Sequence, residues 1–279
     1  MHFQWYPGHM TKAKRMMQEN IKLIDVIIEL VDARIPVSSR NPDIEGFATG
    51  KTRVLLLNKN DLADERYNKK WKEYYESKGY YTTLINARAG KGVKAVNEII
   101  MQACKEKFER DRKRGILNRP VRAMIVGIPN VGKSTFINSF VGKACTKTGD
   151  KPGVTKGKQW IKLNKNVELL DTPGILWPKF EDQQVGLKLA LIGSIKDEIL
   201  QTEELCIKLL DILKNDYLEV LEKYIGDEAK DDSYETLCNY AIKRGCKLKG
   251  DEPDISKAAI LMLDDFRAGK IGRITLDDI

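Results

Sequence analysis

Cysteine, histidine and long hydrophobic runs are all scarce in this chain of 279 residues. Its five cysteines include no C-x-x-C pair, which argues against a zinc site or a disulfide framework and is typical of reduced cytosolic thiols. The longest aliphatic run, residues 258–263, is far shorter than the ~20 residues that a membrane helix needs. Residues 2–7 are largely aromatic and lead into basic residues without an apolar stretch, so we expect no signal peptide, a cytoplasmic location and no membrane partner.

Charge is distributed unevenly along the chain. Residues 1–180 hold 34 Lys and Arg against 18 Asp and Glu, whereas residues 181–279 hold 14 against 22, so the total of +8 combines +16 with −8. A net charge of +16 indicates a polyanionic partner, because each phosphate paired with Lys or Arg releases a counterion. A well-solvated basic surface is the alternative. RNA is favoured over an anionic membrane, since no lipidation signal or basic amphipathic helix is present.

Strand-like and helix-like patterns alternate through the first 180 residues. Strands are predicted at 25–31, 53–57, 80–85 and 121–126, helices at 63–78, 92–114 and 133–140, and a hairpin at 159–163 with 167–170. Continuous apolar strands that alternate with helices are typical of a largely parallel sheet covered on both faces. In such sheets, ligands bind beyond the carboxyl ends of the strands.

From residue 180 onward the pattern is helical only. Apolar residues recur at i, i+3 and i+4 spacing within 187–192, 203–213, 217–224, 234–244 and 255–266. We therefore predict an α/β domain with a mainly parallel sheet over residues 1–178 and a separate all-α domain over residues 179–279.

A phosphate-binding loop follows the fourth predicted strand, where residues 127–134 read G-x-x-x-x-G-K-S and open a predicted helix. The glycines let backbone N–H groups turn toward phosphates, and the helix N-terminus adds a favourable dipole. Lys133 reaches the outer phosphates and the Ser134 hydroxyl ligates Mg²⁺. The predicted phosphate-binding residues are Asn130, Val131, Gly132, Lys133, Ser134, Thr135 and, from the next motif, Gly174.

A second loop completes the predicted magnesium site. Residues 171–174 read D-T-P-G at a strand end, where the Asp171 carboxylate can hold magnesium and the Gly174 N–H can meet the terminal phosphate. Thr155, in the loop between the two motifs, is the natural hydroxyl to complete the magnesium shell, and an ordinary turn residue is the alternative. The predicted Mg²⁺ ligands are Ser134, Thr155 and Asp171, and both Lys133 and Thr155 are predicted catalytic residues.

Two earlier strand ends predict which base is bound. Residues 58–61 read N-K-N-D, and a carboxylate at Asp61 can accept hydrogen bonds from both the N1–H and the N2–H₂ of guanine. Adenine lacks this donor pair and would leave a charge unpaired, which costs several powers of ten in discrimination. Residues 86–88 read N-A-R, where a backbone N–H can meet the guanine carbonyl. A polar turn that only ends the strand is the alternative; the predicted guanine-binding residues are Asn58, Lys59, Asp61, Asn86 and Ala87.

These motifs are similar to the GTPase signature set in a rotated order, because the guanine-binding motifs precede the phosphate loop. They indicate a circularly permuted P-loop GTPase. Within that group the chain resembles the ribosome biogenesis GTPase A family through the opening Trp5-Tyr-Pro-Gly-His9-Met10, the segment Asp32-Ala-Arg-Ile-Pro36, the phosphate loop, and the segment Phe266-Arg-Ala-Gly-Lys-Ile-Gly272. The N-A-R loop departs from the S-A-K that is more usual.

The resemblance implies an enzyme that hydrolyses GTP to GDP and phosphate with Mg²⁺, and that binds the precursor of the large (50S) ribosomal subunit and its rRNA late in assembly. We expect a monomer with no DNA partner. A GTPase acting on another structured RNA such as tRNA, and a nucleotide-gated assembly scaffold, are alternatives. Since the chain leads from Gly174 directly into the helical domain, we hypothesise that hydrolysis reorients that domain and changes its RNA affinity.

The motif that supplies the water-orienting side chain in many GTPases lacks such a side chain here. Ile175 occupies the position where many GTPases have glutamine, and its side chain cannot form a hydrogen bond. His9 is the candidate for that role, with a structural or RNA-contacting histidine as the alternative. By resemblance to potassium-dependent GTPases, Asn130 can help hold a K⁺ ion against the phosphates, with a loop-shaping asparagine as the alternative.

Basic residues near aromatic ones predict RNA contacts. Trp5 and Tyr6 precede a basic cluster, and a basic island interrupts the acidic helical domain. A solvated helix face is an equally good interpretation of each patch. The predicted RNA-contacting residues are Lys12, Lys14, Arg15, Lys243, Arg244, Lys247 and Lys249.

Overall fold

A computed structural model describes residues 8–116, 119–142, 159–177, 180–196, 200–226 and 232–279, with the side chains of residues 9 and 159 outside that description. The chain forms two compact units. The larger unit extends to Glu181 and takes up Thr275–Ile279 again, and the smaller unit is Asp182–Ile274. The boundary between the units lies three residues beyond the residue 178 given for the predicted boundary, and Thr275–Ile279 group with the larger unit.

One six-stranded sheet forms the centre of the larger unit. Its strands are β1 (Val26–Asp32), β2 (Thr52–Asn58), β3 (Tyr81–Ile85), β4 (Val121–Val126), β5 (Gln159–Lys162) and β6 (Val167–Asp171). Their spatial order is β3-β2-β1-β4-β6-β5, and every neighbouring pair is parallel except the antiparallel hairpin β5–β6. The predicted, mainly parallel sheet with a hairpin at its edge is confirmed.

The strand register brings the polar strand ends to one edge. All seven residues of β1 are buried, as expected for a central strand covered on both faces. Asp32 at the end of β1 lies opposite Asn58 at the end of β2, and Asn58 lies opposite Ile85 at the end of β3. The loops that follow these strands therefore emerge side by side, next to the loop that follows β4.

Six helices accompany the sheet in the described part of the larger unit. They are α1 (Gly8–Asn20), α2 (Pro42–Phe47), α3 (Glu65–Ser77), α4 (Ala95–Ala103), α5 (Lys105–Lys113) and α6 (Lys133–Val141), with a 3-10 turn at Ile21–Leu23. The single long helix predicted over 92–114 is wrong. The chain breaks at Cys104, whose backbone leaves the helical region and whose side chain is buried, so two short helices form instead.

The smaller unit is helical over its described residues. Its helices are α7 (Gln183–Leu191), α8 (Thr202–Asp216), α9 (Leu218–Ile225), α10 (Ser233–Lys243) and α11 (Ile255–Arg267). The predicted helical pattern is confirmed, because these five helices overlap the five predicted segments, and leucines at i, i+4 spacing in α8 such as Leu205 and Leu209 are fully buried. Every helix in the described ranges is too short or too polar to span a bilayer.

Candidate nucleotide-binding site

The loop between β4 and α6 has the backbone of a phosphate cradle. Gly132 has φ +100°, a left-handed conformation that L side chains rarely adopt, and it caps the N-terminus of α6. A Cβ at this position would also collide with the Asn58 side chain. Lys133 is buried, and its Nζ donates hydrogen bonds to the carbonyl oxygens of Gly127 at 3.0 Å and Ile128 at 2.9 Å. The helix N-terminus and the lysine together favour an anion above the loop.

The loop after β6 lies directly against this cradle. A Cβ added at Gly174 would lie 2.8 Å from Lys133 Nζ and 2.8 Å from the backbone nitrogen of Pro129, so only glycine fits this approach. The Ile175 N–H donates to Gly127 O at 3.3 Å, and Thr172 Oγ1 donates to a β4 carbonyl. The two loops predicted to share the terminal phosphate are therefore adjacent.

Asp171 brings a carboxylate into the same site. Its side chain is almost fully buried, and its Oδ1 atom has no hydrogen-bond partner in the part of the chain that the structure describes. Burial raises the pKa of Asp171 against the attraction of Lys133, and burial lowers the pKa of Lys133 against the attraction of Asp171. Desolvation thus disfavours both the carboxylate form of Asp171 and the ammonium form of Lys133. A ligand that carries positive and negative charges into the site would stabilise both charged forms.

Asn58 joins the predicted guanine loops to the phosphate loop. Its Nδ2 atom donates to Val131 O at 2.8 Å, and its Oδ1 atom accepts from the Ala87 N–H at 3.0 Å. Asn58 is itself buried. One side chain therefore ties together three loops that lie far apart in the sequence, which brings the early and the late motifs to one site.

Lys59 makes a second tie to the phosphate loop. Its Nζ atom donates to Asn130 O at 2.8 Å and pairs with the Asp32 carboxylate at 3.0 Å. Lys59 and Asn130 have φ values of +60° and +58°, so both ends of this hydrogen bond are non-glycine residues in the left-handed region. Backbone strain of this kind persists where the surrounding structure enforces it, which is common at ligand sites.

The remaining guanine-binding candidates line the same edge. Asp61 is exposed, so its carboxylate is open to a base. Asn86 Oδ1 accepts from the Ala89 N–H at 2.9 Å and shapes its own loop. Because the Ala87 N–H already donates to Asn58, a guanine carbonyl would share this donor or take the N–H of Arg88.

Comparison with known proteins identifies the family to which this site belongs. Residues 122–239 match a family model described as a 50S ribosome-binding GTPase. Ribosome biogenesis GTPase A from Bacillus cereus is 49% identical, over 99% of this chain and 94% of that protein. The chain belongs to the ribosome biogenesis GTPase A family. A member from Thermotoga maritima is 33% identical, over 98% of this chain and 93% of its own.

Solved structures agree with this family membership. The GDP-bound structure of TM YlqF has a TM-score of 0.67 at 28% identity, covering 94% of this chain and 98% of that one. A GNP-bound YlqF from T. maritima has a TM-score of 0.66 at 29% identity, covering 95% and 97%. The circularly permuted P-loop GTPase fold predicted from the motif order is confirmed. This ribosome biogenesis GTPase binds GTP and GDP and hydrolyses GTP.

Magnesium, which GTPases of this type use, fits the residues present. Asp171 Oδ1 is a buried acceptor without a partner among the described residues, and Ser134 lies in the first turn of α6 beside Lys133. Carboxylate and hydroxyl oxygens are the ligands that Mg²⁺ prefers. Thr155, the third predicted ligand, lies outside the described residues, as does the side chain of His9.

The position after the D-T-P-G motif has no catalytic side chain in this GTPase. Ile175 is fully buried, and its carbonyl oxygen accepts a hydrogen bond from Asn41 Nδ2 at 3.2 Å. The next N–H, of Leu176, donates to the sulfur of Met10 in α1 at 3.5 Å. The segment that follows Gly174 is thus anchored at several points. Because the Ile175 side chain cannot form a hydrogen bond, a group other than this side chain must orient the attacking water.

Two of the three basic residues predicted as RNA contacts in α1 have acidic partners. Lys14 pairs with Asp43 of α2 at 2.7 Å, and Arg15 pairs with Glu19 one helical turn away. Lys12 is exposed, and no ion pair to it occurs within the described ranges. Trp5 and Tyr6 lie outside those ranges.

The predicted RNA-contacting residues between 243 and 249 of the smaller unit also differ in whether they have partners within the protein. Lys243 donates to Ile225 O at 2.7 Å at the C-terminus of α9, a structural role, and Arg244 contacts the buried Asp265 at 3.5 Å. Lys247 pairs with Asp251 at 3.0 Å. Lys249 is exposed, with no ion pair to the described part of the chain, and is thus the member most available to an external phosphate.

The sequence alone assigned no role to Asp32 and Arg34. They were used only as part of the segment 32–36 that resembles the family. Asp32 is fully buried and contacts Lys59, and Arg34 forms a bidentate ion pair with it at 2.9 and 2.8 Å. A charged residue at the end of an apolar central strand is a signal that could have found it. Asp32 faces Asn58 across the parallel register, next to the N-K-N-D motif.

Proposed function

We propose that this GTPase acts late in the assembly of the large ribosomal subunit and binds the 50S precursor and its rRNA in a nucleotide-dependent way. The observation that carries the proposal is the full-length similarity to ribosome biogenesis GTPases, whose family model is described as 50S ribosome-binding. The charge of +16 over residues 1–180 supports a partner rich in phosphate.

Two features of the segment that begins at Gly174 support a nucleotide-dependent change in RNA binding. Gly174 packs on the phosphate loop, where its N–H is the predicted donor to the terminal phosphate. The same segment runs toward residue 182, where the smaller unit begins. Loss of the terminal phosphate removes one anchor of this segment, and we infer that the helical unit changes its RNA affinity as a result.

In the reaction, the chain mainly positions and neutralises charge. Lys133 offsets the charge of the outer phosphates, and the Asn58 and Lys59 contacts hold the phosphate loop in register with the base. When bound at Asp171 and Ser134, Mg²⁺ supplies further positive charge at the phosphates. Since Ile175 cannot orient water, we propose His9 for that role and a K⁺ ion held by Asn130 for additional charge.

These two catalytic proposals have separate tests. His9→Ala should lower kcat in the presence of large subunits with little change in GTP affinity, and near-normal turnover removes the catalytic role. Replacement of K⁺ by Na⁺ should lower turnover of the unmodified protein, and Asn130→Ala should abolish the difference between the two ions. Equal turnover in K⁺ and Na⁺ contradicts the cation site.

Sedimentation tests the ribosomal proposal. The full chain is mixed with 50S precursor particles in the presence of a non-hydrolysable GTP analogue or of GDP. We expect co-sedimentation to be stronger in one nucleotide state, and RNA cross-links in the same fractions to locate the contact. Equal binding in both states, or turnover stimulated by tRNA but not by large subunits, contradicts the proposal.

A further inference from the structure

The end of the chain is built into the nucleotide-binding unit. Thr275, Leu276 and Asp277 are all buried, although the helical residues that precede them belong to the smaller unit. The Leu276 N–H donates to Arg34 O at 2.7 Å, and Thr275 Oγ1 accepts from the Asp64 N–H at 3.1 Å. A terminal segment with this many buried polar contacts is an ordered part of the unit and not a loose tail.

Asp277 holds the loop that follows β1, residues 33–39. Its Oδ2 atom accepts from the N–H groups of Val37 and Ser38, both at 2.8 Å. Its Oδ1 atom accepts from Ser38 Oγ at 2.7 Å. Three hydrogen bonds to a buried carboxylate fix a loop more strongly than neutral contacts do, because charge-assisted bonds are about twice as strong.

The loop in turn fixes Asp32. Arg34 donates to the Asp32 carboxylate from its backbone N–H at 3.1 Å and from two guanidinium nitrogens. The Asp32 N–H donates to Ser39 Oγ at 3.0 Å. Burial alone would raise the pKa of Asp32, yet Arg34 and Lys59 together hold it well below its usual value, so the carboxylate stays charged.

Asp32 is the direct partner of Lys59. The 3.0 Å ion pair and the hydrogen bond from Lys59 to Asn130 O hold the lysine between the β1 loop and the phosphate loop. A continuous series of contacts therefore runs from Asp277 through residues 33–39 and Asp32 to the guanine-site lysine. The charged groups in this series are those of Asp277, Arg34, Asp32 and Lys59, and the backbone of residues 33–39 connects Asp277 to the other three.

We propose that Asp277 is a positioning residue for guanine-nucleotide binding, and that the C-terminal segment Thr275–Ile279 sets the geometry of Lys59 through the loop 33–39 and Asp32. Its predicted effect is on nucleotide affinity and not on the chemical step, because Lys59 is a predicted guanine-binding residue and none of residues 275–279 is among the predicted phosphate-binding or metal-binding residues.

Asp277→Asn tests this proposal, with Asp278→Asn as the matched control on the same segment. Asp278 is exposed, and its carboxylate is 3.5 Å from the Tyr67 hydroxyl. We expect Asp277→Asn to raise the Kd for GDP and GTP about fivefold, with kcat at saturating GTP and the affinity for inorganic tripolyphosphate unchanged. Asp278→Asn should leave all three values within about twofold of the parent.

General destabilisation would weaken tripolyphosphate binding as well, so the comparison separates positioning from folding. Unchanged GDP affinity in a folded Asp277→Asn protein, or equal loss of GDP and tripolyphosphate affinity, overturns the proposal.

Hydrogen exchange on the unmodified protein gives a second test that does not depend on a variant. Coupling between two sites is reciprocal, so guanine nucleotide must stabilise the C-terminal contacts as much as they stabilise its binding. We expect GDP to slow exchange of the Leu276, Val37 and Ser38 amides, and tripolyphosphate to do so much less. Exchange at these amides that does not respond to GDP overturns the proposal.

Discussion

Asn58 and Val131, 73 residues apart in the chain, are joined by a 2.8 Å hydrogen bond from a side-chain amide to a phosphate-loop carbonyl. The other end of the Asn58 side chain accepts the Ala87 N–H. Asn58→Ala leaves two buried backbone groups without a partner, each of which costs about 1–3 kcal/mol. We therefore expect lower stability in urea denaturation together with weaker GDP and GTP binding. Unchanged stability would mean that the loops do not depend on this bridge.

A substitution at Asp61 should change the selectivity for the base without changing the stability of the fold. Its side chain is exposed. The Asp61 carboxylate is the predicted acceptor for the guanine N1–H and N2–H₂ groups. We expect Asp61→Ala to reduce the preference for GTP over ATP by about a hundredfold, because the base loses the acceptor that adenine cannot use. The free energy of unfolding should change by less than about 0.5 kcal/mol, as for other exposed positions. Competition binding with both nucleotides measures the ratio, and a retained preference for GTP contradicts the assignment.

Gly174 is predicted to tolerate no side chain. In Gly174→Ala the new Cβ meets Lys133 Nζ and the Pro129 backbone at distances below 3.0 Å, which must displace one of the two loops. Overpacking of this kind typically costs about 1–3 kcal/mol. We expect hydrolysis to fall about tenfold or more, with a smaller effect on GDP affinity, since the predicted partner of the Gly174 N–H is the terminal phosphate, which GDP lacks. Gly46→Ala, which has open space around its Cβ and an ordinary φ, is the control and should hydrolyse GTP normally.

Local patterns were enough for most of the fold. The β1 and β2 strands and the helices of the smaller unit follow directly from apolar periodicity. The α2 helix was missed although it carries clear signals, an Asn41 cap that accepts the Asp43 N–H and a proline at the first helical position. The helix break at Cys104 has no comparable signal, because the residues on both sides continue a helical pattern.

The parts of the candidate site that could be predicted from the sequence are those formed by contiguous motifs. Motif spacing placed Asn58 and Asp171 at strand ends and Lys133 at the end of the loop after β4, and the parallel sheet brings these segments together. The role of Asp277 could not be predicted, because its contacts with Val37 and Ser38 span 240 and 239 residues. Nothing in a short acidic C-terminal sequence distinguishes a buried loop-holding carboxylate from a solvated one.

The raised pKa of Asp171 predicts a pH dependence of nucleotide binding. A carboxyl whose pKa is raised on folding stabilises the nucleotide-free fold in acid, and this contribution is lost as pH rises through the folded-state pKa. Magnesium requires the charged form, so Mg²⁺-dependent nucleotide affinity should fall as pH drops below neutral, with proton release on binding in that window. Calorimetry in buffers of different ionisation enthalpy measures the release. Asp171→Asn should abolish both the release and the Mg²⁺ dependence; release that persists in this variant contradicts the assignment.

Lys249 and Lys247 form a matched pair for the RNA proposal, since they lie two residues apart on the smaller unit. Lys247 pairs with Asp251 at 3.0 Å, whereas Lys249 is exposed, with no ion pair in the described ranges. We expect Lys249→Gln to weaken rRNA binding and to reduce the slope of log affinity against log salt by about one, because one counterion fewer is released. Lys247→Gln should have a smaller effect, since Asp251 already neutralises part of its charge. Filter binding over a salt series measures both slopes, and equal slopes for the parent and Lys249→Gln would show that this lysine does not contact phosphate.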